Sequence, residues 1–81
     1  MFYTYVLINK DSHKTYTGHT RDLEKRIKEH NDGLVKSSKK YRPYQVLLFE
    51  KFDTINEAKK REMYYKNFRG RQKLKEVIDI N

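Results

Sequence analysis

The 81-residue sequence has no cysteine, so neither a disulfide framework nor a thiolate zinc site can hold it together. Long hydrophobic runs are missing too. The longest, Val46 to Phe49, falls far short of the roughly 20 apolar residues that a membrane-spanning helix needs. The chain has one proline, Pro43, and no linker, internal repeat or low-complexity tract that would divide it, so a single unit over residues 1–81 is expected. It opens almost directly on strand-like residues without a signal-peptide pattern, which makes a soluble, cytoplasmic protein the expectation. No Ser-His-Asp arrangement, Gly-rich phosphate loop or HExxH motif is present to direct the chemistry elsewhere.

Acidic residues are scarce, and unevenly so. Residues 1–33 are nearly balanced, with six cations against five acids, whereas residues 34–49 carry Lys36, Lys39, Lys40 and Arg42 and no acid at all. The segment after Thr54 has eight cations against four acids, and the formal charge of the whole chain is +8. Positive charge gathered in one loop and one C-terminal segment suits a phosphate backbone, whereas a merely solvated surface would not require it to cluster. Apolar residues make up only 36% of the chain, but seven tyrosines and four phenylalanines supply enough bulk for a small core and argue against disorder.

Phe2 to Ile8 is rich in aromatic and β-branched residues and mostly apolar on both faces, which predicts a central strand. Asn9 to Ser12 forms a turn cluster, and Lys14 to Gly18 returns as the second strand of an antiparallel hairpin. Thr20 is a suitable N-cap for a helix running to about Asn31, with Gly33 as its stop. On that helix Leu23, Arg26, Ile27 and His30 follow the i, i+3, i+4, i+7 spacing, so the two apolar residues should carry Arg26 and His30 to the edge of the packed surface. Residues 34–43 form the basic loop. Tyr44 to Phe52 is a third strand, with Val46, Leu48 and Phe52 on one face and Leu47 and Phe49 on the other. Thr54 and Glu57 have the capping-box spacing for a second helix reaching about Phe68, which Gly70 should break before a last helix carrying Leu74, Val77 and Ile78. The order β-β-α-β-α-α gives an α+β fold, a three-stranded sheet flanked by helices.

Taken singly, the polar candidates are weak. Tyrosines are common on half-buried strands, a helix arginine is usually exposed, and His19 after Gly18 reads as an exposed loop histidine. Glu62 is more telling. It lies on the stripe of Ala58, Arg61 and Tyr65, where a carboxylate must pair, lose its charge or bind something. Either a salt bridge to Arg26 or a neighbouring lysine, or a single oxygen ligand for Mg²⁺, would satisfy it. Tyr5, Tyr16, Arg26, His30 and Glu62 beside a basic surface together match the needs of phosphodiester hydrolysis: a nucleophilic water, a place for developing charge and help for the leaving oxygen.

The ordered set resembles the GIY-YIG endonuclease domains, in particular their small stand-alone bacterial branch, over essentially the whole chain. Tyr3-Thr4-Tyr5 and Tyr16-Thr17-Gly18 stand at the two eponymous motifs, the first keeping only its tyrosine and the second having threonine for isoleucine. Arg26 and His30 match the first-helix positions, and Ala58 and Glu62 the second-helix pattern. Asn67 is five residues beyond Glu62 and is not equated with the asparagine that larger family nucleases carry there. The resemblance implies hydrolysis of nucleic-acid phosphodiesters, DNA more than RNA, with one Mg²⁺ or Mn²⁺ ion. Glu62 would hold the metal and Arg26 would stabilise transition-state charge. Tyr5 would activate water, with Arg26 and the metal favouring its phenolate, while Tyr16 orients water or substrate and His30 assists the base. Lys36, Lys39, Lys40 and Arg42 would engage backbone phosphates. Family nucleases draw specificity from an attached domain, so a partner protein could supply it here. The alternatives are a nucleic-acid-binding module of the same fold with little or no activity, acting in repair or recombination, and a small interaction domain with incidental charge.

Overall fold

β1, Phe2–Ile8, is the strand on which everything packs. A computed structural model describes residues 1–80, with β1 at the centre of a three-stranded antiparallel sheet between β2, Thr15–Thr20, and β3, Gln45–Phe52. Residues Thr4 to Ile8 are buried, as the two apolar faces of the sequence require. The one polar residue among them is Thr4, whose hydroxyl donates to the Ala58 carbonyl at 2.7 Å and so leaves no unmet group in the core.

Each face of the sheet has its own cover. Tyr5, Leu7 and Tyr44 form one cluster, closed by Leu23 and Ile27 of α1, Leu23–Asn31. Val6 packs on the other face with Tyr65 of α2, Ile55–Lys66, and Leu74 of α3, Phe68–Ile80. The β-β-α-β-α-α order read from the sequence is the observed one, with one turn of 3₁₀ helix, Lys39–Tyr41, inside the basic loop.

Four local readings need correction. β2 continues past Gly18 to Thr20, which pairs with Tyr3, so Thr20 belongs to the strand. The cap of α1 is instead Asp22, whose carboxylate accepts from the Lys25 N–H, an interaction worth about 1 kcal/mol. The alternation expected in β3 breaks because Val6 pairs with Leu48 and Leu7 with Val46, leaving Leu47 as the extra residue of a bulge. Leu47 and Leu48 therefore both reach the Val6 cluster, while Val46 and Phe49 are exposed.

Gly33 does end α1. It has a φ of +78°, its N–H bonds to the His30 carbonyl and the Leu34 N–H reaches back to that of Glu29, which together make a Schellman ending. Gly70 breaks nothing. α2 ends at Asn67, whose side chain accepts from the Gly70 N–H and so starts α3. Gly70 is buried in that first turn, where any Cβ would collide with the Tyr64 carbonyl, so only glycine fits.

Candidate active site

The hairpin register decides which motif residues meet. Tyr5 pairs with Gly18 and Leu7 with Tyr16, so these lie on the α1 side of the sheet; Thr4 pairs with His19, on the α2 side. Gly18 is required where it stands, since a Cβ would come within 2.5 Å of the Tyr5 hydroxyl oxygen. Gly18→Ala is expected to cost about 1–3 kcal/mol by overpacking the buried tyrosine. A lower urea midpoint at unchanged slope would register it, and an unchanged midpoint would show that the ring has room to shift.

Tyr5, 1% exposed, points its hydroxyl at His30 Nε2, 2.8 Å away. The far nitrogen of the imidazole, Nδ1, is 2.5 Å from Ser38 Oγ, and Ser38 in turn donates to the Val35 carbonyl at 3.3 Å. Ser38 has only one proton to give: with it on the Val35 carbonyl, the proton of His30 is on Nδ1 and Nε2 accepts from the Tyr5 O–H; with it on Nδ1, Nε2–H donates to Tyr5 instead. The Tyr16 ring lies 4.7 Å from the His30 ring, and the Tyr44 hydroxyl ties down the Ser38 carbonyl at 2.7 Å. The sequence reading put His30 at the edge of the packed surface. The structure buries it completely, because Ser38 folds over it from the loop.

Arg26 sits at the mouth of this cluster, beside Tyr5 and bonded to Glu29 at 3.3 Å. Burial pushes the Tyr5 phenol above its ordinary value, and the Arg26 guanidinium offsets only part of that. From the protein's own groups alone, burial outweighs the guanidinium; the share of the phenolate bias expected from a metal lies outside this balance. Burial also pushes the His30 imidazole below its ordinary 6.5, and the charge of Arg26 adds to it. A depressed histidine stabilises the fold above its unfolded pKa and loses that contribution as pH falls through the folded one. The melting temperature is therefore expected to decline on acidification below about pH 6.5, before the carboxylates Glu50 and Glu62 titrate. A flat melting temperature down to pH 5 would contradict the buried neutral imidazole.

Glu62 approaches from the other face. Its Oε1 is 2.6 Å from His19 Nδ1 and its Oε2 is 2.6 Å from Lys66 Nζ. Burial pushes this carboxyl up, but the bonds to Lys66 and His19 outweigh it and hold it below its ordinary range. The carboxylate is close enough to contribute to the raised Tyr5 phenol. Of the pairings considered, the lysine one is realised, not the one with Arg26. His19 is no loop residue: β2 reaches past it, and strand alternation turns it to the α2 side. Ser38 is the residue that the sequence did not single out, and nothing in a run of basic and hydroxyl residues distinguishes it.

Among the described residues, no group of three or more His, Asp or Glu side chains could hold a metal ion. A metal at Glu62 would thus rest on one carboxylate and complete its shell with water and phosphate oxygens, as Mg²⁺ commonly does. Glu62 fits that role because its carboxyl is held below its ordinary range, its side chain is 17% exposed, and its Lys66 partner is half exposed. Lys36, Lys39, Lys40 and Arg42 are all exposed, on the loop whose Ser38 holds His30. Lys40 lies over the Tyr41 ring and the Arg42 guanidinium against Gly33. No helix among the described residues is long and apolar enough to cross a membrane.

The family model described as the GIY-YIG catalytic domain matches residues 1–75. A UPF0213 protein of Staphylococcus saprophyticus is 46% identical over 78 residues, 95% of this chain and 94% of the relative. One from Clostridium perfringens is 44% identical, over 91% of this chain and 80% of its own. The UPF0213 protein YazA of Bacillus subtilis is 41% identical, over 85% and 70%. No solved structure matches the chain. The match over residues 1–75 shows that the chain belongs to the GIY-YIG family.

Proposed function

We propose that the chain is a divalent-metal-dependent endonuclease hydrolysing phosphodiester bonds, in DNA rather than RNA. The observation that carries this reading is the hydrogen-bonded line from Tyr5 through His30 to Ser38, with Arg26 at its mouth. A phenol held protonated by burial is a poor base on its own. Coupled to a neutral imidazole it need not ionise first. As water attacks phosphorus and the bond from phosphorus to the leaving strand's oxygen breaks, the water proton passes to the Tyr5 oxygen while the Tyr5 proton passes to His30 Nε2, and the leaving oxygen takes its proton from solvent. The imidazolium so formed keeps its Nδ1–H on Ser38.

Arg26 stabilises the charge that gathers on the phosphoryl oxygens, and Tyr16 helps orient the water or the substrate. A Mg²⁺ or Mn²⁺ ion held by Glu62 would supply Lewis-acid polarisation of the scissile phosphate. Lys36, Lys39, Lys40 and Arg42 hold flanking phosphates without reading sequence.

One observation favours a second reading, a nucleic-acid-binding module without turnover: the Tyr5 hydroxyl is buried, and burial keeps it protonated. Cleavage of supercoiled plasmid and of a branched oligonucleotide separates the two. Nicked or cut product in Mg²⁺ or Mn²⁺ and none in chelator is the expected result. Binding without product in any metal would leave the module.

A further inference from the structure

A groove of about 520 Å³ runs along the outer edge of β2, walled by the end of α2 and by α3. It contains Lys66, Arg71 and Lys75 against the single acid Asp79. Neither Arg71 nor Lys75 forms an ion pair with another described residue, and both side chains are exposed. The groove opens on the candidate site through two shared residues. Tyr16 lines it while its ring rests on His30, and Lys66 lines it while its Nζ holds Glu62.

We propose that this groove carries one nucleic-acid strand away from the scissile phosphate, an inference that rests on the nucleic-acid reading above. Arg71 and Lys75 stand one helical turn apart, ~6 Å along the axis, a spacing that successive phosphates of an extended strand can match. Ile78 and Tyr16 give sugars and bases an apolar surface beside that cationic line. A single strand can turn phosphates to one side and bases to the other in this way, whereas a duplex presents phosphates on its outside. Lys66 joins the two sites, because releasing Glu62 leaves its ammonium beside the same strand.

The test is binding of labelled oligothymidylate across a salt series in EDTA, where no metal-dependent cleavage intrudes. Arg71→Gln with Lys75→Gln is expected to weaken binding about tenfold or more at low salt and to flatten the log–log salt slope by about 1.4, two phosphate contacts at ~0.7 each. Lys59→Gln with Lys60→Gln, on exposed α2 positions outside the groove, should leave the slope unchanged. Arg71→Lys with Lys75 intact keeps both charges and should keep most of the binding and of the slope. A groove variant that binds like the parent overturns the strand path and leaves the unpaired edge of β2 to a peptide. Equal losses in both double variants overturn it too. If the parent cleaves in Mg²⁺ while the groove variant binds normally, only the groove fails. If the groove variant loses binding but the parent cleaves nothing, only the nuclease reading fails.

Discussion

Glu62→Gln is expected to lower metal-dependent cleavage by about 10³-fold, the several kcal/mol that metal polarisation of a phosphoryl oxygen supplies. Glutamine keeps the shape and an oxygen that can accept from His19, but it offers a hard cation no charge. The fold should hardly notice. The lost pair with Lys66 is a partly exposed i, i+4 contact on α2, worth ~0.5 kcal/mol or less. Single-turnover rates beside thermal melts separate the two effects. Glu76→Gln, at an exposed carboxylate of α3, is the matched control. Parent-like cleavage by folded Glu62→Gln protein would show that the metal is held elsewhere.

Tyr5→Phe carries the second large effect. The ring stays in the core, so packing is kept, but the hydroxyl that joins water to His30 is gone. A rate loss of about 10²–10⁴-fold is expected, the usual range for removing a positioned proton-transfer group. Stability should fall as well, by about 1–3 kcal/mol, because His30 Nε2 is left buried without a partner. The relay makes a sharper claim than either loss. Tyr5 and His30 act as one unit, so Tyr5→Phe combined with His30→Gln should be little slower than the worse single variant. Multiplying losses would show independent roles and break the relay.

These effects depend on positions that were legible in the sequence to different degrees. The central place of β1 follows from two apolar faces, and the start of α2 from Thr54 and Glu57, whose backbone N–H meets the threonine hydroxyl. Thr20 and Asp22 are both good caps, and strand pairing to Tyr3 decided between them. Gly70 misleads because a glycine after a helical pattern reads as a stop, while its use here is close approach to the Tyr64 carbonyl. The bulge at Leu47 leaves no mark in the hydrophobic pattern of β3. In the site, Tyr5, Tyr16, Arg26 and Glu62 stood out by order and spacing, and Glu62 also as a carboxylate on an apolar stripe. That His30 is buried, that Ser38 meets its Nδ1 and that His19 grips Glu62 depend on contacts 8 and 43 residues apart in the chain. Such contacts come only with the fold.

The claim at the centre, one metal ion held by Glu62 beside the Tyr5 cluster, is open to a direct measurement. Titration with Mn²⁺ should broaden backbone amide NMR signals around the ion through its unpaired electrons. The expected pattern centres on Gly18, His19, Glu62 and Lys66, and it disappears in Glu62→Gln protein. Broadening centred elsewhere, or the same pattern in the variant, would contradict the assignment.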